Sequence, residues 1–202
     1  MDASGWDDRY RSTDLLWGSG PNVWLAAEAE GLPPGRAMDL ACGEGRNAIW
    51  LAEQGWRSTG VDFSAVALDK ARAMAAERGV SVEWIRADLA TYEPPESAFD
   101  LVVLAYLHLP REVLAAVLGR ATTALAPGGS LLVIGHDLAN LTEGVGGPQD
   151  PSVLYTKDDV TGWMGSLEIA KAERVARPVA GHGPDGGGVA LDVLVRGVKP
   201  AP

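Results

Sequence analysis

Three aspartates, Asp39, Asp62 and Asp88, each stand at or just beyond the end of a short apolar run, a placement that lets a carboxylate reach a ligand lying across several strand ends. The first belongs to Asp39-Leu40-Ala41-Cys42-Gly43-Glu44-Gly45-Arg46-Asn47. Gly43 and Gly45 lack a Cβ, so backbone amides can approach a ligand closely and the chain can turn sharply into a helix. Taken alone, Gly43-x-Gly45-x-x-Ala48 also satisfies the dinucleotide fingerprint.

Charge separates the two readings. A pyrophosphate would meet Asp39 and Glu44 in or beside the turn and be repelled. S-adenosylmethionine carries an ammonium and a sulfonium and no phosphate, and carboxylates attract it. Asp62, in Val61-Asp62-Phe63-Ser64, falls about twenty residues past the turn, where its oxygens can hold two ribose hydroxyls and Phe63 can pack against adenine. Asp88, in Ala87-Asp88-Leu89, is placed to accept from the adenine amino group. Tyr106 and His108, and then His136 and Asp137, follow two later strands and are candidates for contact with a substrate, with Tyr106, His108 and His136 the candidate catalytic groups.

The elements that must position these residues alternate. Strands are expected at Ala37–Ala41, Arg57–Val61, Ser81–Arg86, Leu101–Ala105 and Leu131–Gly135. Helices are expected from Pro21 in a first turn to Glu30, over Asn47–Gln54, after a Ser64 cap to Arg78, and over Arg111–Leu125. Thr156-Lys157-Asp158-Asp159 reads as a capping box. Leu167–Val175 and Val189–Val195, separated by a glycine-rich loop containing His182, suit a terminal antiparallel hairpin. The expected fold is α/β, a Rossmann-like and mostly parallel seven-stranded sheet ending in that hairpin, with helices on both faces.

A chain of 202 residues fits one domain. Its expected parts are an N-terminal helical cap over 1–34, a cofactor-binding core over 35–135, and a lid loop and terminal hairpin over 136–202. The lid is the Gly- and Pro-rich stretch from Glu143 to Pro151. A single cysteine, Cys42, excludes an internal disulfide, and three scattered histidines form no metal constellation. With Asp+Glu at 27 against Lys+Arg at 17, a formal net charge of -10 disfavours nucleic acid and anionic membranes. No apolar run approaches a bilayer span, and Met1–Arg11 lacks the apolar core of an export signal, so a soluble, cytoplasmic protein is expected. Spacing does not fix the oligomeric state.

The chain resembles the class I S-adenosylmethionine-dependent methyltransferases. The likeness is carried in order by Asp-Leu-Ala-Cys-Gly-Glu-Gly-Arg-Asn, Gly-Val-Asp-Phe-Ser, Ala-Asp-Leu, Phe-Asp-Leu-Val-Val and Leu-Ala-Pro-Gly-Gly. It covers roughly Gly35 to Gly135, and Ala41 stands where the family commonly has glycine. Arg46-Asn47 and the N-terminal Trp6-Asp7-x-x-Tyr10 are similar to the tellurite-resistance and thiopurine methyltransferase group. The resemblance implies S-adenosylmethionine as cofactor and S-adenosylhomocysteine as product. It sets Asp39 and Gly43 near the methionine moiety, with Ala41, Gly45 and Asn47 in the same turn. Asp62, Phe63 and Ser64 would lie at the ribose side, Ala87, Asp88 and Leu89 at the adenine, and Leu104 to Tyr106 beneath the sulfonium. Trp6, Tyr10 and Trp17 belong to the segment that in this family folds over the cofactor. The expected acceptor is a small molecule, a thiol or other soft nucleophile. The alternatives are a sensor that binds the cofactor without turnover and a nicotinamide-dependent oxidoreductase.

Blander roles stand beside these. Asp39 can anchor its turn through backbone amides, and Asp88 can cap the turn before Tyr92. Cys42 suits a small buried residue, and Trp50, Trp56 and Trp84 suit the core or its rim. Trp6 and Trp17 can simply pack, His136 can bond the backbone, and His182 can be exposed.

Overall fold

The computed structural model describes residues 2–180 and 187–201. Its elements run α1 (Ala3–Arg11), α2 (Val23–Ala29), β1 (Arg36–Leu40), α3 (Arg46–Glu53), β2 (Arg57–Asp62), α4 (Ala65–Glu77), β3 (Glu83–Arg86) and β4 (Phe99–Ala105). Then come α5 (Arg111–Ala124), β5 (Leu125–His136), α6 (Asn140–Glu143), a 3-10 turn (Pro151–Val153), α7 (Lys157–Trp163), β6 (Glu168–Ala180) and β7 (Gly187–Val198). The sheet order is β3-β2-β1-β4-β5-β7-β6. The first five strands are parallel, and β7 runs antiparallel to both β5 and β6. This is the Rossmann-like sheet with a terminal hairpin. The order reverses between β1 and β4, and a ligand crevice opens beyond the carboxyl ends of strands at such a reversal.

Both faces of the sheet are covered, and β4 shows how. Val102 and Leu104 pack with Leu114, Leu118 and Ala121 of α5 and with Val160 of α7. Leu101 and Val103 pack on the other side with Leu25 of α2 and Leu51 of α3. A strand buried on both faces needs continuous apolar sequence, and Leu-Val-Val-Leu supplies it.

The expected caps are in place. Ser64 Oγ accepts from Ala67 N, and Thr156 and Asp159 form a reciprocal capping box. Other boundaries differ. α2 begins after Asn22, whose Oδ1 accepts from Trp24 N and Leu25 N, so Pro21 lies before the cap instead of in the first turn. β3 begins at Glu83, and β5 begins at Leu125 because that residue pairs with Phe99 before the register shift at Ala126-Pro127-Gly128-Gly129. The expected hairpin loop around His182 lies outside the described residues.

The glycine turn is fitted closely to the sheet. Gly45 has φ +79°, and a Cβ there would stand 2.5 Å from Trp84 Cη2 and 2.9 Å from Ala71 Cβ. Gly45→Ala is therefore expected to destabilise the fold by about 3 kcal/mol, through backbone strain and overpacking together. Urea unfolding would measure it, and a change under about 1 kcal/mol would contradict this packing.

Candidate functional site

The carboxyl ends of β1 and β2 meet at the glycine turn. Cys42 N donates to Val61 O, Gly43 N to Asp62 Oδ2 at 2.8 Å, and Ser64 N to Asp62 Oδ1 at 2.8 Å. Asp62 thus ties the turn to the start of α4 with both oxygens, each of which keeps capacity for a further donor. Ala41, where a glycine was the expected family residue, has φ +59°, a left-handed conformation that an L side chain adopts at a cost of about 1 kcal/mol.

Asp39 differs from Asp62 in kind. It is 1% exposed, and neither carboxylate oxygen has a hydrogen-bond partner among the described residues. Burial pushes its pKa up to about 7, opposed by the nearby Arg46 guanidinium and assisted by Asp62. A buried and unsatisfied carboxylate is destabilising unless a donor or cation completes it. The Ala48 backbone amide is near enough to oppose the rise in pKa, but it does not meet hydrogen-bond geometry and leaves both oxygens unsatisfied.

Glu44 corrects the charge argument in part. It is buried, with Oε1 3.2 Å from Lys70 Nζ and Oε2 accepting from Leu16 N at 2.8 Å. Its charge is compensated, so the repulsion of a pyrophosphate rests on Asp39 and Asp62.

A cap made by α1 and the segment after it covers this turn. Lys70 Nζ donates to Tyr10 O, Thr13 O and Asp14 O, and Asp7 Oδ1 accepts from Ser64 Oγ and Val66 N. Tyr10 is buried against the turn: a Cβ on Gly43 would stand 2.8 Å from its hydroxyl. Trp6, Tyr10 and Trp17 cluster, with ring centroids 5.6 and 6.3 Å from Trp6, and the Arg9 guanidinium lies 5.1 Å from the Trp6 ring. Trp17 remains 45% exposed, so one face of the cluster is open.

The remaining residues expected at the cofactor make contacts of their own. Asn47 Oδ1 accepts from Asn22 N and joins α3 to α2. Asp88 is exposed, and its Oδ1 accepts from Ala90 N, which is the turn-capping role. Leu89 and Leu104 are buried in the core on the α5 side. Phe63 and Ala87 are half-buried, and Ala87 N donates to Asp62 O.

A second constellation lies beyond β4, β5 and β7. Tyr106 has φ +58°, and its hydroxyl donates to Asp192 Oδ2 at 2.7 Å. Arg177 Nε donates to the same oxygen at 2.8 Å. His136 Nδ1 lies 3.3 Å from Asp192 Oδ1 without hydrogen-bond alignment. His108 stacks on His136 with centroids 5.5 Å apart and on Tyr155 at 5.8 Å. Sequence reading brought Tyr106, His108 and His136 forward but missed Asp192, Arg177 and Tyr155. A charge at Asp192 inside the apolar run Val189–Val195 was the available signal.

His108 is held neutral. Burial, and then the neighbouring His136, lower its pKa to about 4. The unfolded chain takes up this proton near pH 6.5 and the folded chain only near 4, so the contribution is complete above about pH 6.5 and shrinks as pH falls toward 4. The unfolding free energy at pH 5 should fall about 2 kcal/mol below its value at pH 7.5 on this account, and His108→Gln should remove that loss. Parallel pH profiles for the two proteins would contradict it.

Residues 37–129 match the family model described as a methyltransferase domain. A 2-heptyl-1-hydroxyquinolin-4(1H)-one methyltransferase from Mycobacteroides abscessus is 28% identical over 150 residues, 73% of this chain and 66% of the relative. A demethylmenaquinone methyltransferase from Thermus thermophilus is 37% identical over 103 residues, 50% of this chain and 47% of the relative. A ribosomal RNA small subunit methyltransferase C from Alcanivorax borkumensis is 32% identical over 108 residues, 51% of this chain and 33% of the relative. The chain therefore spans a third to two thirds of these relatives. A solved structure from work on the conversion of a disulfide bond into a thioacetal group during echinomycin biosynthesis superposes with a TM-score of 0.74. It is 22% identical, covers 98% of this chain and 92% of its own, and shares the fold. Among the described residues no helix is long and apolar enough to cross a membrane, and no group of His, Cys, Asp and Glu is arranged to hold a metal.

Proposed function

We propose that this chain is an S-adenosylmethionine-dependent methyltransferase acting on a small-molecule acceptor. The observation that carries the reading is Asp39, a buried carboxylate without a partner among the described residues, beside a glycine turn at the reversal of strand order. A cationic ligand completes such a group, whereas a pyrophosphate would add a second anion, which sets the nicotinamide-dependent oxidoreductase aside.

The residues fit the cofactor. Asp39 and Gly43 would hold the methionine moiety, with Ala41 and Gly45 shaping the turn. Asp62, bracketed by Phe63 and Ser64, would hold the ribose, and Ala87, Asp88 and Leu89 would flank the adenine. When bound, the cofactor supplies an electrophilic methyl group on sulfur. Trp6, Tyr10 and Trp17 would keep water from it, while Leu104 to Tyr106 form the floor. Alignment of the acceptor then accounts for most of the rate.

Gly147 packs on the His136 ring, and Asn140 Nδ2 donates to Gly146 O at 2.9 Å. These contacts support the segment from Glu143 to Pro151 as the lid that shifts to admit an acceptor. Within the class we keep the likeness to the tellurite-resistance and thiopurine group, which rests on Arg46-Asn47 and the Trp6 to Tyr10 motif.

The test is incubation with methyl-labelled S-adenosylmethionine and a panel of thiols, phenols and amines, read by mass spectrometry. Labelled product and S-adenosylhomocysteine in equal amounts are expected for at least one acceptor. Tight cofactor binding without turnover on any of them would favour the sensor.

A further inference from the structure

The constellation around Asp192 is built more elaborately than packing requires. Asp192 is fully buried on β7, an apolar strand, yet it carries a carboxylate whose Oδ2 is saturated by Tyr106 and Arg177. Oδ1 has no aligned partner among the described residues and faces His136 Nδ1 at 3.3 Å, and that nitrogen is also without an aligned partner. Tyr106 is turned into this position by a left-handed backbone, a strained conformation that recurs at functional sites. One carboxylate oxygen is thus fixed by two donors, and the other is aimed at an imidazole. Hydrogen bonds in such a dyad are often long before a substrate arrives.

We propose that His136 takes the proton of a planar hydroxyl acceptor, a phenol or an enol, and that Asp192, fixed by Tyr106 and Arg177, is the positioning residue that turns His136 Nε2 toward it; this rests on the methyltransferase reading above. A carboxylate on Nδ1 selects the tautomer with its lone pair on Nε2 and stabilises the imidazolium that forms. His108 is the poorer base. Its Nδ1 lies against Val153 O, its buried Nε2 has no partner among the described residues, and a proton there would be repelled by one on His136. The groups around His136 that titrate or carry charge are Tyr106 and His108 beyond β4, Tyr155, Arg177 of β6 and Asp192 of β7.

The acceptor class follows from what a base is for. A thiol is partly ionised near neutral pH without help, whereas a hydroxyl with a pKa near 10 is not. The half-buried rings of Tyr106, His136 and His108 follow one another with centroids 5.1 and 5.5 Å apart, backed by the fully buried Tyr155 at 5.8 Å from His108, and their accessible parts suit a flat acceptor better than an aliphatic one. In the transfer the O–H bond breaks and its proton goes to His136 Nε2. The oxygen's electron pair forms the bond to the methyl carbon, and the carbon–sulfur bond breaks with its pair left on sulfur. His136 then releases the proton to solvent.

4-Nitrophenol, whose phenolate absorbs apart from the neutral form, is the probe. It is titrated into the protein together with S-adenosylhomocysteine at a pH where the free probe is mostly neutral. Wild type should bind it as phenolate. His136→Gln, which leaves the contacts among Tyr106, Asp192 and Arg177 in place, should bind it un-ionised, with unchanged calorimetric affinity for S-adenosylhomocysteine. Asp192→Asn, which leaves an amide in place of the carboxylate facing Nδ1, should lower the ratio of phenolate to neutral probe bound by about tenfold, with S-adenosylhomocysteine affinity unchanged. If Asp192→Asn does not fold, His136→Gln carries the test. A probe that is unbound or neutral in wild type, or a bound probe equally ionised in wild type and in a folded Asp192→Asn, overturns the proposal. Failure of S-adenosylhomocysteine to bind wild type overturns the methyltransferase reading instead.

Discussion

Asp39→Asn should weaken S-adenosylmethionine binding by about thirtyfold at pH 8 and abolish its pH dependence, because about 2 kcal/mol of attraction to a cationic ligand disappears with the charge. In the wild type the carboxyl is pushed up to about 7 by burial. A cation favours the ionised form, so binding below that pH releases a proton, and affinity should rise as pH increases toward 7 and then level off. Asparagine carries no such proton, and its profile should be flat.

The same substitution should raise the stability of the ligand-free protein. The folded-state pKa of Asp39 lies above its unfolded value of 3.8, so the folded chain favours the protonated form. The stability this contributes is complete below about pH 4 and is lost as pH rises through 7, which leaves the ionised group destabilising at pH 8. Asp39→Asn is therefore expected to be more resistant to urea at pH 8 while binding cofactor worse. A merely structural aspartate predicts the opposite sign for stability, and a less stable variant with normal binding would refute this account of Asp39.

Asp62→Ala should have the larger effect on affinity, a loss of at least about a hundredfold for S-adenosylhomocysteine, since charge-assisted hydrogen bonds to ligand hydroxyls are each worth about 1.5 to 3 kcal/mol. It should also destabilise the fold by about 2 kcal/mol, because Gly43 N and Ser64 N lose their acceptors in a buried place. The two effects separate by concentration. Saturating ligand with fully folded protein, verified by circular dichroism at low temperature, measures binding alone. If affinity measured that way stays within about threefold of wild type, Asp62 only ties the turn and the ribose assignment fails.

How much of this was legible in the sequence depended on range. The parallel core was legible because strands buried on both faces, such as Leu101–Ala105, read as apolar runs, and because Ser64 and Thr156 cap their helices through bonds only three residues long. The helix α1 was not legible as an element. Its sequence, Ala-Ser-Gly-Trp-Asp-Asp-Arg-Tyr-Arg, is largely polar, and α4 holds it in place through Lys70 and the start of that helix.

Strand ends were legible, but side-chain directions were not. Asp39 and Asp62 lie at the ends of β1 and β2; that Leu104 packs on the half of β4 that faces α5, and that Asp88 Oδ1 accepts from Ala90 N, are directions that spacing does not carry. The pairing of Tyr106 with Asp192 spans 86 residues, and no local pattern encodes it. Even so, a lone aspartate in an otherwise apolar stretch of β7 marked a partner to be sought.

The most direct test is calorimetric titration of S-adenosylmethionine, S-adenosylhomocysteine and NADH into the wild-type protein at pH 8. A buried, unpartnered anion beside the glycine turn predicts that the sulfonium form binds at least as tightly as its neutral product, and that NADH binds at least about a hundredfold more weakly than either. NADH binding as tightly as S-adenosylmethionine would contradict it.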